Sequence, residues 1–203
     1  MNVPLITLVA FAFSTILAIF LTRRKKKSTL WHWLLLIGAP LIVVAVAGGI
    51  EISRQNRESA PFEPYLEAYL TLPGENEGEP LKQILLAHPT GEAYVKGKII
   101  PVSVRHQQVD LLYFDLPQEM RAEDPGEVGT VVWLDCTSVT LVIRRVGAST
   151  NNTVNYNCEV AVIDYSIPAI VARQAFQKTS GEQGIRDVLY PQIIEYLESL
   201  PRQ

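Results

Sequence analysis

Cys136 and Cys158 are the two cysteines of the chain, 22 residues apart. Zinc sites and thioredoxin-like motifs bring cysteines as C-x-x-C or beside histidines at fixed spacing. Neither cysteine has such a neighbour. A disulfide between them and two free core thiols are the readings that stand. His88 precedes Pro89, and His106 falls in an expected turn. Neither lies near a cysteine or a serine in a G-x-S-x-G elbow, so both are read as exposed loop histidines. Asp115, Glu119, Glu123, Asp124 and Glu127 crowd the stretch DLPQEMRAEDPGE. A calcium loop needs oxygen ligands at set spacing, usually with a glycine at the turn; this stretch does not match that pattern, so it reads as a solvated acidic surface. Arg144 and Arg145 on an expected strand would send one guanidinium to each face. Asn151-Asn152-Thr153 spells a glycosylation sequon, which is irrelevant in a bacterium. The chain has no Walker motif and no G-x-G-x-x-G. The expected catalytic, cofactor-binding and metal-ligating sets are therefore empty, and no cofactor is implied.

These residues depend on elements that follow from apolar periodicity. From Glu92 onward, β-branched residues dominate and turn signals recur at short intervals. Strands are expected at 93–104, 109–115, 129–136, 139–146, 154–164 and 169–177, with Pro101 confining part of the first to an edge or a bulge. GASTNNT (147–153) and DYSIP (164–168) are the expected hairpin loops, so the last three strands should form an antiparallel meander. On the fifth expected strand Cys158, Val160 and Val162 share one face, and Glu159, Ala161 and Ile163 the other. Both faces are largely apolar, as in a strand covered on one or both sides. A helical turn is expected at IRDVLY. Pro191 then opens a C-terminal helix whose Ile193, Ile194, Leu197 and Leu200 form a stripe to lay across the sheet. Upstream, 51–91 reads as a polar stalk followed by short helical and loop segments, with a helix at 64–73.

Charge divides the chain more sharply than any motif. Pro4–Leu21 and Leu30–Ile50 are runs of 18 and 21 residues without an ionisable acid or Lys/Arg side chain. Between them stand Arg23, Arg24, Lys25, Lys26 and Lys27. A bilayer core of about 30 Å needs roughly 20 apolar residues at about 1.5 Å each. Residues 1–50 are thus expected to form a two-helix transmembrane hairpin, with helices at 4–21 and 30–50 and a basic loop at 22–29. A secretory signal peptide carries its cations before the apolar run, whereas here they follow it. The short basic loop is the topology signal, and it belongs in the cytoplasm. The N- and C-termini should then be extracytoplasmic, on a multi-pass protein of the plasma (inner) membrane. Trp31 and Trp33 suit a headgroup anchor, with His32 a solvated interfacial residue. No ionisable group lies near either midplane, so the hairpin reads as an anchor rather than an ion path. The net charge is −3, but residues 51–203 keep 13 Lys+Arg against 21 Asp+Glu, a net −8. So acidic a part disfavours nucleic acid as a partner. Its expected partners are the lipid bilayer and a protein of the membrane or envelope. In an oxidising compartment a Cys136–Cys158 bond becomes available.

The segments GKIIPV (97–102), DLLYFDLPQEMRA (110–122), PGEVGTVVWL (125–134), CEVAVID (158–164), AIVARQAF (169–176) and IIEYLESLP (193–201) resemble a family of uncharacterised bacterial domains. That family carries EVGTVV, CxVxVID and IIxYLxSLP segments and commonly follows a membrane anchor or is exported. The resemblance covers about half of the chain and rests on core-forming positions. It implies a fold and lends no activity. This chain departs from it between Phe176 and Pro191, where the family's Pro- and Lys-bearing loop is replaced by QKTSGEQGIRDVLY.

The resulting expectation is an α+β protein: the transmembrane hairpin, then an antiparallel β-meander domain at 92–203 with a C-terminal helix. It presents a non-catalytic extracytoplasmic interaction or binding domain. An accessory subunit of a membrane complex is the alternative. A third reading, an extracytoplasmic enzyme using the acidic loop and His106, requires those groups to converge.

Overall fold

The computed structural model describes residues 48–71, 92–143, 151–181 and 184–203. The chain divides into two compact units, Met1–Glu58 and Ser59–Gln203. The expected transmembrane helices, apart from the last residues of the second, lie outside the described residues, as do Arg23, Arg24, Lys25, Lys26 and Lys27. Among the described residues no helix is long and apolar enough to cross a membrane. Residues 48–58 of the first unit are helical. Arg54 bridges Glu51 at 2.7 Å and Glu58 at 3.0 Å along that helix. Such pairs each add about 0.2–0.5 kcal/mol to an exposed helix.

The second unit is α+β and carries a five-stranded mixed sheet, in the order β2-β1-β3-β4-β5. Its strands are β1 (Lys98–Ser103), β2 (Gln108–Val109), β3 (Val128–Ile143), β4 (Asn151–Asp164) and β5 (Ala169–Ser180). The β3–β4–β5 meander is antiparallel. A wholly antiparallel sheet is not what forms, because β1 runs parallel to β3. Residues 104–127 separate these two strands, enough chain to return to the starting end of the sheet as a parallel pair requires.

The expected strand at 109–115 is also replaced. β2 stops at Val109 because Asp110 accepts the Leu112 amide and caps a 3-10 helix, Leu111–Phe114. The carbonyl of Pro101 accepts the Asp110 amide, and the ring leaves no N–H to return the bond. The strands expected at 129–136 and 139–146 are one strand, β3. Thr137 and Ser138, which break the apolar pattern, pair in register with Asn157 and Tyr156 of β4.

Both faces of the sheet are covered. On one, Val132 and Leu134 of β3 and Val160 and Val162 of β4 meet the C-terminal helices α2 (Ile185–Val188) and α3 (Tyr190–Ser199) through Leu189, Ile193 and Leu197. Pro191 lies in the first turn of α3, where a missing N–H costs nothing. After α3 the tail folds back. Val95 donates to the Pro201 carbonyl, and Gln203 donates to the Val95 carbonyl. On the other face Val131, Trp133, Ile163 and Ile100 pack under a 3-10 helix, Ala60–Tyr65, and helix α1 (Leu66–Leu70). The Trp133 indole donates to the Tyr69 carbonyl at 2.7 Å. Phe62 and Tyr69 are thus part of the core, and the folded unit begins at Ser59 rather than at residue 92. Two aromatic side chains within a polar stretch are enough to seat it, since each buries a large apolar area.

Candidate functional site

Cys136 and Cys158 face one another across β3 and β4, with Cα atoms 4.1 Å apart, and their sulfurs are joined. Cys158 is fully buried and Cys136 half-buried. The pair sits where the helical cover of the sheet thins. Toward the Thr130–Asp164 end the sheet is buried on both sides. Beyond the sulfurs, on the face that carries Trp133, it is half-buried at Thr137 and Asn157 and exposed at Val139, Asn155, Gln177 and Thr179.

Two polar clusters bring together residues far apart in sequence. The first joins the end of β2 to the C-terminal helices. Tyr190 of α3 donates its hydroxyl to Asp110 Oδ1 at 2.7 Å, and the Leu112 amide donates to the same oxygen at 2.9 Å. Arg186 of α2 holds Asp115, with Nε donating to Oδ2 at 2.6 Å. Burial pushes the Asp110 carboxyl above its usual range, against the pull of the Leu112 amide, the Tyr190 hydroxyl and the charge of His106. Burial raises the Tyr190 hydroxyl too, and the negative charge of Asp110 adds to it.

The second cluster closes the β4–β5 turn. Asp164, 2% exposed, accepts the Tyr94 hydroxyl at 2.6 Å, the Ser166 hydroxyl at 2.6 Å and the Ser166 amide at 2.8 Å. Lys96 Nζ donates to Ser166 Oγ at 2.6 Å and lies 3.7 Å from Asp164. Burial alone would raise the Asp164 carboxyl. The hydrogen bonds from Ser166 and Tyr94 and the charge of Lys96 outweigh it and hold the group below its usual range. Chemically the cluster is a buried carboxylate with its donors in place. The lysine is a cation half open to solvent, and it donates to the serine hydroxyl rather than accepting its proton.

The acidic loop divides. Asp115 joins the first cluster. Asp124 accepts the Gly126 amide at 2.8 Å, capping the 3-10 helix Pro125–Glu127. Glu127 accepts the Glu123 amide, Glu123 accepts the Gln118 side-chain amide, and Glu119 is exposed. His106 is exposed in the β1–β2 turn, its backbone amide donating to Ser103 Oγ at 3.3 Å. It neighbours Asp110 rather than the remaining acids of the loop. Among the described residues no three His, Cys, Asp or Glu side chains are placed to hold a metal ion. His88, Arg144 and Arg145 lie outside the described residues, and Asn151 opens β4 opposite Ile143.

Sequence reasoning passed over Asp110, Asp164, Tyr94, Lys96, Ser166, Arg186 and Tyr190. One local signal was there: Asp164 and Ser166, two apart in a turn, form the usual side-chain-to-backbone closure. No family model matches the chain, and no curated protein matches it.

Proposed function

We propose that this is a membrane-tethered protein whose domain at 59–203 lies outside the cytoplasm and binds a protein partner without catalysing a reaction. The anchor rests on the two uncharged runs and the basic loop between them. One observation carries the binding role: beyond the cysteine pair, the sheet extends a polar face that stands open at Val139, Asn155, Gln177 and Thr179. Two rows cross its three strands, Thr137–Asn157–Gln177 and Val139–Asn155–Thr179. Val139 is 58% exposed, and Asn155, Gln177 and Thr179 are exposed with it. Thr179 donates to Asn155 Oδ1 at 2.6 Å, linking β5 to β4 within the second row. A sheet that ended with its core would need none of this length. Among the described residues β5 also pairs on one side only, with β4, leaving an edge to which a partner strand can add. The two clusters supply rigidity, tying the turns and the terminal helices to the sheet.

A photo-reactive residue placed at Val139 or Gln177 of the full chain in its native membrane tests the partner face. A discrete adduct from both positions, absent when the probe replaces exposed Glu119, is expected. Equal labelling from all three positions would sink the reading. Protease shaving tests the location. The domain should be cut in intact spheroplasts and spared in inside-out vesicles.

A further inference from the structure

The end of the sheet opposite the polar rows carries a second surface of different chemistry. Tyr65 and Tyr69 stack with ring centroids 6.2 Å apart, and Tyr69 meets the edge of Tyr165 at 5.2 Å. Tyr165 opens the β4–β5 turn, whose Ile167 is 59% exposed; Tyr65 is 47% exposed. Lys96 reaches the same turn through its bond to Ser166. A large exposed aliphatic side chain, tyrosines with one polar end, and a half-exposed lysine are the kinds of residue that partition into the headgroup layer of a bilayer.

Chain length decides the occupant. If the apolar run ending at Ile50 crosses the membrane, residues 51–58 are all that separates it from the folded unit. As helix they rise about 12 Å. The 3-10 turn from Ser59 to Tyr65 adds about 12 Å more. Tyr65 is therefore tethered within about 25 Å of the bilayer surface.

We infer that the Tyr65–Tyr165–Ile167–Lys96 surface rests on the lipid headgroups of the bilayer that holds the anchor. The inference depends on the membrane-anchored reading above. Glu63 and Glu67 are exposed on the same segment and offset the lysine, so the rings and Ile167 make the contact. Docked this way, the domain turns its polar rows outward, since Thr130 to Val139 spans about 30 Å of extended β3.

The test uses the full chain in phosphatidylcholine vesicles with plain or brominated acyl chains, carrying an environment-sensitive fluorophore at Ile167→Cys, Tyr65→Cys or Val139→Cys. Interfacial groups sit about 5–10 Å deep, so bromine should cut emission from positions 65 and 167 by about half. Emission from position 139 should not change, and raised salt should not restore the lost signal. Using two positions keeps the test decisive should one variant fail to fold. No quenching at 65 and 167 while the chain withstands alkaline carbonate extraction overturns the docking and leaves the anchor standing. Quenching at 139 equal to that at 167, or relief by salt, overturns it too. Release of the chain by carbonate instead removes the anchor, and the docking falls with it.

Discussion

At the scale of single residues, the two buried carboxylates have opposite linkage to pH. Asp110 has a raised pKa in the folded protein, so its contribution is fully present below its ordinary value of 3.8 and is lost as pH rises through the folded value. Asp110→Asn keeps an acceptor for the Leu112 amide and the Tyr190 hydroxyl and removes the buried charge. We expect it to raise the melting temperature at neutral pH, with the gain vanishing in acid. Asp164 has a lowered pKa. Its contribution is present above 3.8 and disappears as pH falls through the folded value. Asp164→Asn should therefore destabilise at neutral pH and converge with the parent in acid. Melting curves across pH check both signs; a parallel response of the two variants would contradict them. Backbone approach sets a third residue. A Cβ at Gly129 would stand 2.4 Å from the Lys96 carbonyl oxygen, which already accepts Thr130 Oγ1 at 2.7 Å. Gly129→Ala should cost about 2–3 kcal/mol, as overpacking against backbone does, read as a lower denaturation midpoint with unchanged slope.

At the scale of elements, the long β3–β4 hairpin needs support beyond the point where the core ends. Its outer half has polar cross-strand rows, with Ser138, Val139, Thr140 and Asn155 exposed, and an isolated two-stranded ribbon is marginal in water. The cysteine pair closes a separation of 22 residues at that transition. A loop of that size corresponds to about 3 kcal/mol in the chain-entropy account. Cys136→Ser with Cys158→Ser, or full reduction, should lower the melting temperature of the chain. Amide exchange should rise first at 137–143 and 151–157, before the core around Trp133. Uniform loss of protection would mean that the pair supports the core rather than the extension. β5 meets its own constraint at Val171, where the register with β4 shifts by one residue. Ile170 then joins the core under α1, while Val171 and Ala172 join the core under α3.

For the whole molecule, the arrangement divides labour along one sheet. One end holds the tyrosine group and the Asp164 turn. The other carries the polar rows. The terminal helices lie between, fastened by Asp110 to Tyr190, Asp115 to Arg186 and Val95 to the tail.

Period and punctuation in the sequence determined the α+β class, the antiparallel meander, the split of Cys158, Val160 and Val162 from Ala161 and Ile163, and the start of the last helix near Pro191. Each follows from forces that act within a few residues: alternation of side chains along a strand, fixed φ at proline, apolar stripes at helical spacing. The parallel placement of β1, the single β3, the seating of Phe62 and Tyr69, and the long-range contacts of both polar clusters were decided by the tertiary structure alone. Tyr94 is 70 residues from Asp164, and Tyr190 is 80 from Asp110. No local pattern encodes such meetings. They arise when hydrophobic burial brings distant segments together, and the buried carboxylates hold only where the packed chain supplies donors.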